Sequence, residues 1–189
     1  MARRWAWFAG GAAAAVAIVA LGAYTSLATG LAPANADAQP SAFERWAARL
    51  SLNATVKREA AALTDPLAPN SATLSAGLKL YASNCMVCHG ASDGKPSNIA
   101  IGLYQHAPQL GKHGVEDDPE GETYWKVAHG IRLTGMPAFG MTLTQTQLWQ
   151  IATFLKHMDS LPPGLAAKWK KMPTQAALRS VRSVVGLNR

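Results

Sequence analysis

The 189-residue chain is 49% hydrophobic and 15% charged, which leaves room for one folded domain with appendages and excludes two large ones. Its two cysteines, Cys85 and Cys88, exclude a multi-bridge disulfide scaffold and, only three positions apart, point to a chemical task. The net charge of +7 is uneven: residues 73–160 hold six basic and seven acidic side chains, residues 1–72 carry a net +2, and residues 161–189 hold six cations and no acid. A basic end without a basic folded part gives nucleic-acid binding no footing, and no nucleic-acid partner is expected.

In chain order, Arg3 and Arg4 precede residues 5–31, a run of 27 residues without a charge. A cleaved signal has an apolar core of about 7–15 residues before a small-residue cleavage site, which Ala34-Asn35-Ala36 could supply. A bilayer crossing needs about 20 apolar residues. Length favours the crossing, and the positive-inside rule puts the two arginines in the cytoplasm. On either reading the rest of the chain is exported.

Residues 32–40, with Pro33 and Pro40, form a breaker-rich spacer. Ser41-Ala-Phe-Glu44 then matches a capping box, and Phe43, Trp46, Ala47 and Leu50 share one face of a helix expected over 41–63. That helix either lies on a membrane or partner, or packs on its own domain; a Trp and Phe stripe suits both. After a turn-rich link from Asp65-Pro66 to Asn70, Thr73 or Ser75 opens a helix running to about Asn84.

Next comes Cys85-Met86-Val87-Cys88-His89. In an exported chain, C-x-x-C-H reads as a c-type haem attachment site, with two thioethers to the haem and the adjacent histidine on iron. Cys85 and Cys88 at i and i+3 fall on one helical turn. A redox dithiol would need a βαβ setting, and structural zinc a second Cys or His pair; the sequence supplies neither. For the second axial position Met136 and Met141 are the competitors. Gly135-Met136-Pro137-Ala138-Phe139-Gly140 is an open loop able to aim a thioether inward, whereas Met141 leads into a Thr-rich helix start, so Met136 is chosen. His106, His113 and His129 lack such a loop and are expected in exposed or capping roles.

Asp118-Pro119 reads as the N-cap and first residue of a helix ending at Gly130, and Thr144-Gln-Thr-Gln147 as a capping box. Leu148, Ile151, Ala152 and Leu155 mark the buried face of the helix that follows, and Pro162-Pro163 stops it. No run shows strand alternation, so the domain is expected to be all-α. Arg132 and Trp125 are candidates to hydrogen-bond the haem propionates. The acidic residues from Glu116 to Glu122 suit a solvated helix start, with a docking patch for a basic partner as a second reading. After Pro173, Leu178, Val181, Val184 and Val185 share a side while Arg179 and Arg182 lie elsewhere, a pattern expected to dock on a membrane surface or partner.

Over residues 73–160 the sequence resembles the class I c-type cytochromes, in particular the bacterial monohaem type. The attachment run and the Gly-Met-Pro-Ala-Phe loop carry the resemblance, together with Gly77 and Tyr81 on a first helix and Trp149 and Phe154 on a last one. Pro108-Gln109-Leu110 is similar to the family's Pro-x-Leu segment, whose proline carbonyl accepts the imidazole N–H; the resemblance thus adds Pro108 and Leu110 to the cofactor-binding set of Cys85, Cys88, His89, Met136 and Arg132. It implies a class I cytochrome c fold carrying one covalent haem c, with His89 and Met136 on iron and no open site for catalysis. The expected organisation is an anchor over 1–35 (or an uncleaved signal), a linker with a short amphipathic helix over 36–72, the haem domain over 73–163 and a basic tail over 164–189. The expected function is single-electron transfer between redox proteins at the periplasmic face of a bacterial inner membrane, the protein being single-pass or, if cleaved, soluble in the periplasm. A cytochrome subunit of a dehydrogenase or terminal oxidase complex, and a haem sensor or peroxidase, are the alternatives.

Overall fold

The computed structural model describes residues 2–172, which divide into two units parted between Ala38 and Gln39. The first is a single helix, α1 (Ala2–Ala28). Its segment Trp7–Ala28, 22 residues with a mean hydropathy of 1.7 and no buried position, is about 33 Å long at 1.5 Å per residue, enough for the hydrocarbon of a bilayer. A Schellman arrangement ends it: the Leu31 N–H reaches the Ser26 carbonyl and the Gly30 N–H the Leu27 carbonyl, with Gly30 at φ +71°.

The regular elements of the second unit are all helices among its described residues. Its elements are α2 (Ala42–Glu59), α3 (Ser71–Asn84), α4 (Met86–His89), α5 (Asn98–Ile101), α6 (Glu120–His129), a 3-10 turn (Phe139–Met141), α7 (Gln145–Lys156) and α8 (Pro163–Lys170). Local chemistry starts most of them. Ser41 Oγ accepts from the Glu44 N–H, Asn70 Oδ1 from the N–H groups of Ala72 and Thr73, and Ser97 Oγ from the Ala100 N–H. Thr144 and Gln147 form the full reciprocal capping box expected of them.

The organising contact is α3 against α7. It is possible because Gly77 has no side chain: a Cβ there would strike the Gln150 carbonyl oxygen and the Phe154 Cβ. Leu74, Leu78 and Tyr81 from α3 meet Leu148, Ile151, Phe154 and Leu155 from α7 in one buried cluster, the main source of stability for a domain of this size.

Four expectations need correction. Residues 164–170 do not begin a tail: Pro163 sits at the first turn of α8, where its missing N–H costs nothing, and Leu165 and Trp169 are buried in the core. The Trp169 ring meets Tyr81 edge-on at 5.5 Å and Phe154 at 6.0 Å. Second, α3 starts earlier than expected, because Asn70 outcompetes Thr73 and Ser75 as cap. Third, Pro119 rather than Asp118 caps α6; the Asp118 carboxylate pairs with Lys126 at 3.1 Å instead. Fourth, α2 ends at Glu59 rather than 63, and its capping box is half made, since the Glu44 carboxylate accepts from the Tyr104 hydroxyl. The amphipathic pattern expected over 173–189 lies outside the described residues.

Candidate functional site

The attachment run closes one helical turn. The Cys85 N–H finishes α3 by donating to the Tyr81 carbonyl at 2.8 Å, and the Cys85 carbonyl accepts from the N–H groups of Cys88 (3.0 Å) and His89 (2.9 Å). Gly90 then reverses the chain at φ +74°, a conformation that suits glycine. A Cβ there would also collide with the Gln109 side chain.

Further contacts, with four residues, fix this turn to the rest of the domain. The buried Tyr81 hydroxyl donates to the carbonyls of Gly90 (2.8 Å) and His89 (3.2 Å). From the other side, the Leu110 N–H reaches the His89 carbonyl at 3.0 Å and the Gln109 Nε2–H the Cys88 carbonyl at 3.0 Å. His89 Nδ1 lies 2.9 Å from the Pro108 carbonyl oxygen. A carbonyl can only accept, so Nδ1 carries the proton and Nε2 keeps its lone pair for a metal. Burial holds the His89 pKa below its ordinary value, against the opposing pull of the Pro108 carbonyl. Pro108 and Leu110, added by the resemblance, are therefore brought to His89, Leu110 through its backbone and as a buried side chain.

Both cysteines are free thiols. Burial, with a smaller contribution from Cys88, pushes Cys85 up to about 12, and burial also raises Cys88. Among the described residues, no group of three or more His, Cys, Asp or Glu converges. One lone imidazole nitrogen and two neutral thiols on a single turn fit a metal whose other ligands arrive with a macrocycle.

Met136 sits in a loop closed by its own backbone. The Ile131 N–H donates to the Met136 carbonyl at 3.3 Å, and the Met136 N–H to Thr134 Oγ1 at 3.1 Å. Gly130 starts the loop at φ +65°, where a Cβ would fall 2.6 Å from the Met136 carbonyl oxygen. Met136 packs part-buried against the core, whereas Met141 is 85% exposed. Arg132, on the same loop, is exposed. The Trp125 indole N–H donates to Glu59 Oε2 at 3.0 Å. His106, His113 and His129 are exposed.

Sequence reasoning missed the Tyr81 hydroxyl and the Gln109 amide as clamps on the attachment turn. The available signal was spacing: Tyr81 lies one turn before Cys85, and Gln109 stands between the two residues already singled out.

A family-model match over residues 72–155 indicates that this all-helical unit holds a class I c-type cytochrome domain. Residues 72–155, from the first turn of α3 to the end of α7, match the family model described as Cytochrome C oxidase, cbb3-type, subunit III. No curated protein and no solved structure gives a significant match. The domain's cofactor is covalent haem c with its iron, and its chemistry is haem-based electron transfer.

Proposed function

We propose that the protein is a membrane-tethered carrier of single electrons on the periplasmic side, with α1 as its anchor and redox proteins as donors and acceptors. The observation that carries this reading is the His89–Pro108 hydrogen bond, which leaves Nε2 as the one free lone pair on a clamped ring. Haem, when bound, supplies an iron that gains and loses one electron. Cys85 and Cys88 would hold it through thioethers, and His89 and Met136 would ligate its iron. Leu110 and the Tyr81 hydroxyl would keep the turn from shifting as charge changes, and two protein ligands on the iron would suit a carrier without catalysis of its own.

The family description favours a second reading, a subunit of a terminal oxidase complex, because the matched model takes its name from such an oxidase. One preparation tests both. Extraction in mild detergent should yield a low-spin cytochrome that stays dark to carbon monoxide and separates from oxidase activity. Co-migration with an oxidase through successive columns would favour the subunit, and rapid carbon monoxide binding at rest would overturn the two-ligand site in favour of a sensor or peroxidase.

A further inference from the structure

Helix α2 has two faces with opposite fates. Val56 and, just past its end, Ala60 are buried; Glu44 takes the Tyr104 hydroxyl and Glu59 the Trp125 indole. These residues fall on one side at 3.6 residues per turn. On the opposite side Phe43, Trp46 and Leu50 are 73%, 59% and 56% exposed, with the Phe43 and Trp46 rings paired at 5.7 Å. Beside them Ala42, Arg45, Trp46, Arg49 and Leu50 line a shallow groove of about 370 Å³. Arg45 and Arg49 are exposed and in no ion pair among the described residues, but they project nearer the Val56 side of the helix than the Phe43 side, and the Arg45 guanidinium donates to the Pro40 carbonyl.

We propose that the face of Phe43, Trp46 and Leu50 is a membrane-surface contact, these side chains entering the boundary between headgroups and acyl chains while Arg49, at its edge, and Arg45, from further round the helix, meet the phosphates of anionic lipids. The inference rests on α1 being an anchor. Thirteen residues separate α1 from α2, a link that even fully extended reaches only about 45 Å. A bilayer crossed by α1 is therefore always within reach of α2, whatever partner is present. The composition of the face also fits lipid: aromatic and leucine side chains flanked by arginines make the pattern of a helix lying in the interface, where guanidinium groups stay with the headgroups. An aromatic face left in water would be an aggregation liability, and lipid removes it.

The test uses the full haem-loaded chain reconstituted in phosphatidylcholine vesicles with or without phosphatidylglycerol. Since haem attachment consumes both natural thiols, Leu50→Cys provides one labelling site for a nitroxide, and Asp159→Cys, at an exposed position on the far side of α7 in sequence, provides the control. In anionic vesicles the label at 50 should lose accessibility to a water-soluble nickel chelate and gain it to oxygen, while the label at 159 stays accessible to nickel. The protection should weaken without phosphatidylglycerol and in the Arg45→Glu, Arg49→Glu double variant. A label at 50 that nickel reaches in every vesicle overturns the proposal, and so does one closed to both reagents, which would mean a protein cover. Vesicle flotation after an alkaline wash separates the two readings: a chain washed off the vesicles fails the anchor and this proposal together, whereas a chain that floats with a wet residue 50 fails this proposal alone.

Discussion

The attachment turn and the methionine loop are built on different principles. Around residues 85–90 the carbonyls of Tyr81, Cys85, Cys88, His89 and Gly90 all accept hydrogen bonds, and the donors come from three separate stretches of chain, including a buried tyrosine and the segment 108–110. The loop from Gly130 to Gly140 holds itself. Its bonds are local, from Ile131 to Met136 and from Thr134 to Ile131, and Leu133 sits at φ +59°. The first side is fixed by tertiary structure and the second by backbone shape, so the same size of perturbation should be absorbed by the domain on one side and read out at the iron on the other.

The sharpest break in that contrast is to remove the covalent links. Replacing Cys85 and Cys88 together by Ala should abolish haem staining on a denaturing gel and, because the haem completes a small core, the cooperative unfolding transition as well. Substitution in the loop should change electronics before stability. Met136→Ala should admit exogenous ligands and lower the midpoint potential by on the order of 100 mV, since a thioether favours the ferrous form, while Met141→Ala leaves stability within about 0.5 kcal/mol; redox titration and ligand binding check both, and an unaltered Met136→Ala spectrum refutes the assignment. On the clamped side the pattern should invert. Tyr81→Phe leaves the Gly90 carbonyl without its donor in a buried site, while the His89 carbonyl keeps the Leu110 N–H, and should cost about 1–3 kcal/mol in denaturant unfolding with the low-spin spectrum intact.

The smallest effect lies away from both regions, at the Glu59–Trp125 contact. Hydrogen bonds from Arg58 and then Trp125 hold Glu59 below its usual carboxylate range. A depressed carboxylate stabilises the fold above its unfolded pKa of about 4.5, and that contribution fades as pH falls through the lower folded value. The Trp125 indole N–H resonance should therefore titrate in acid below pH 4.5 or so, and Glu59→Gln should flatten the titration.

What was legible in the sequence was local. The Cys-x-x-Cys-His spacing, the Thr144 and Gln147 pair and the glycines around Met136 act within a turn or two, so their consequences could be read without knowing the fold. Glu44 and Asp118 were misjudged as partners of their own helix starts because residues elsewhere, Tyr104 and Lys126, compete for their carboxylates. Pro162-Pro163 reads equally as a stop and as a start; only the pocket beneath Trp169, between Tyr81 and Phe154, decides it.

The crossing at Gly77 also sets a timetable. The helix that leads into the attachment turn is completed by Gln150 and Phe154, and its Tyr81 by Trp169, all made long after it. As the chain emerges, this early helix has no surface to close on until α7 and α8 arrive, and pairings of such wide sequence separation form late in folding. Cys85, 8% exposed in the finished domain, should therefore be more open before the last helices dock, whereas Cys88 stays part-exposed even there.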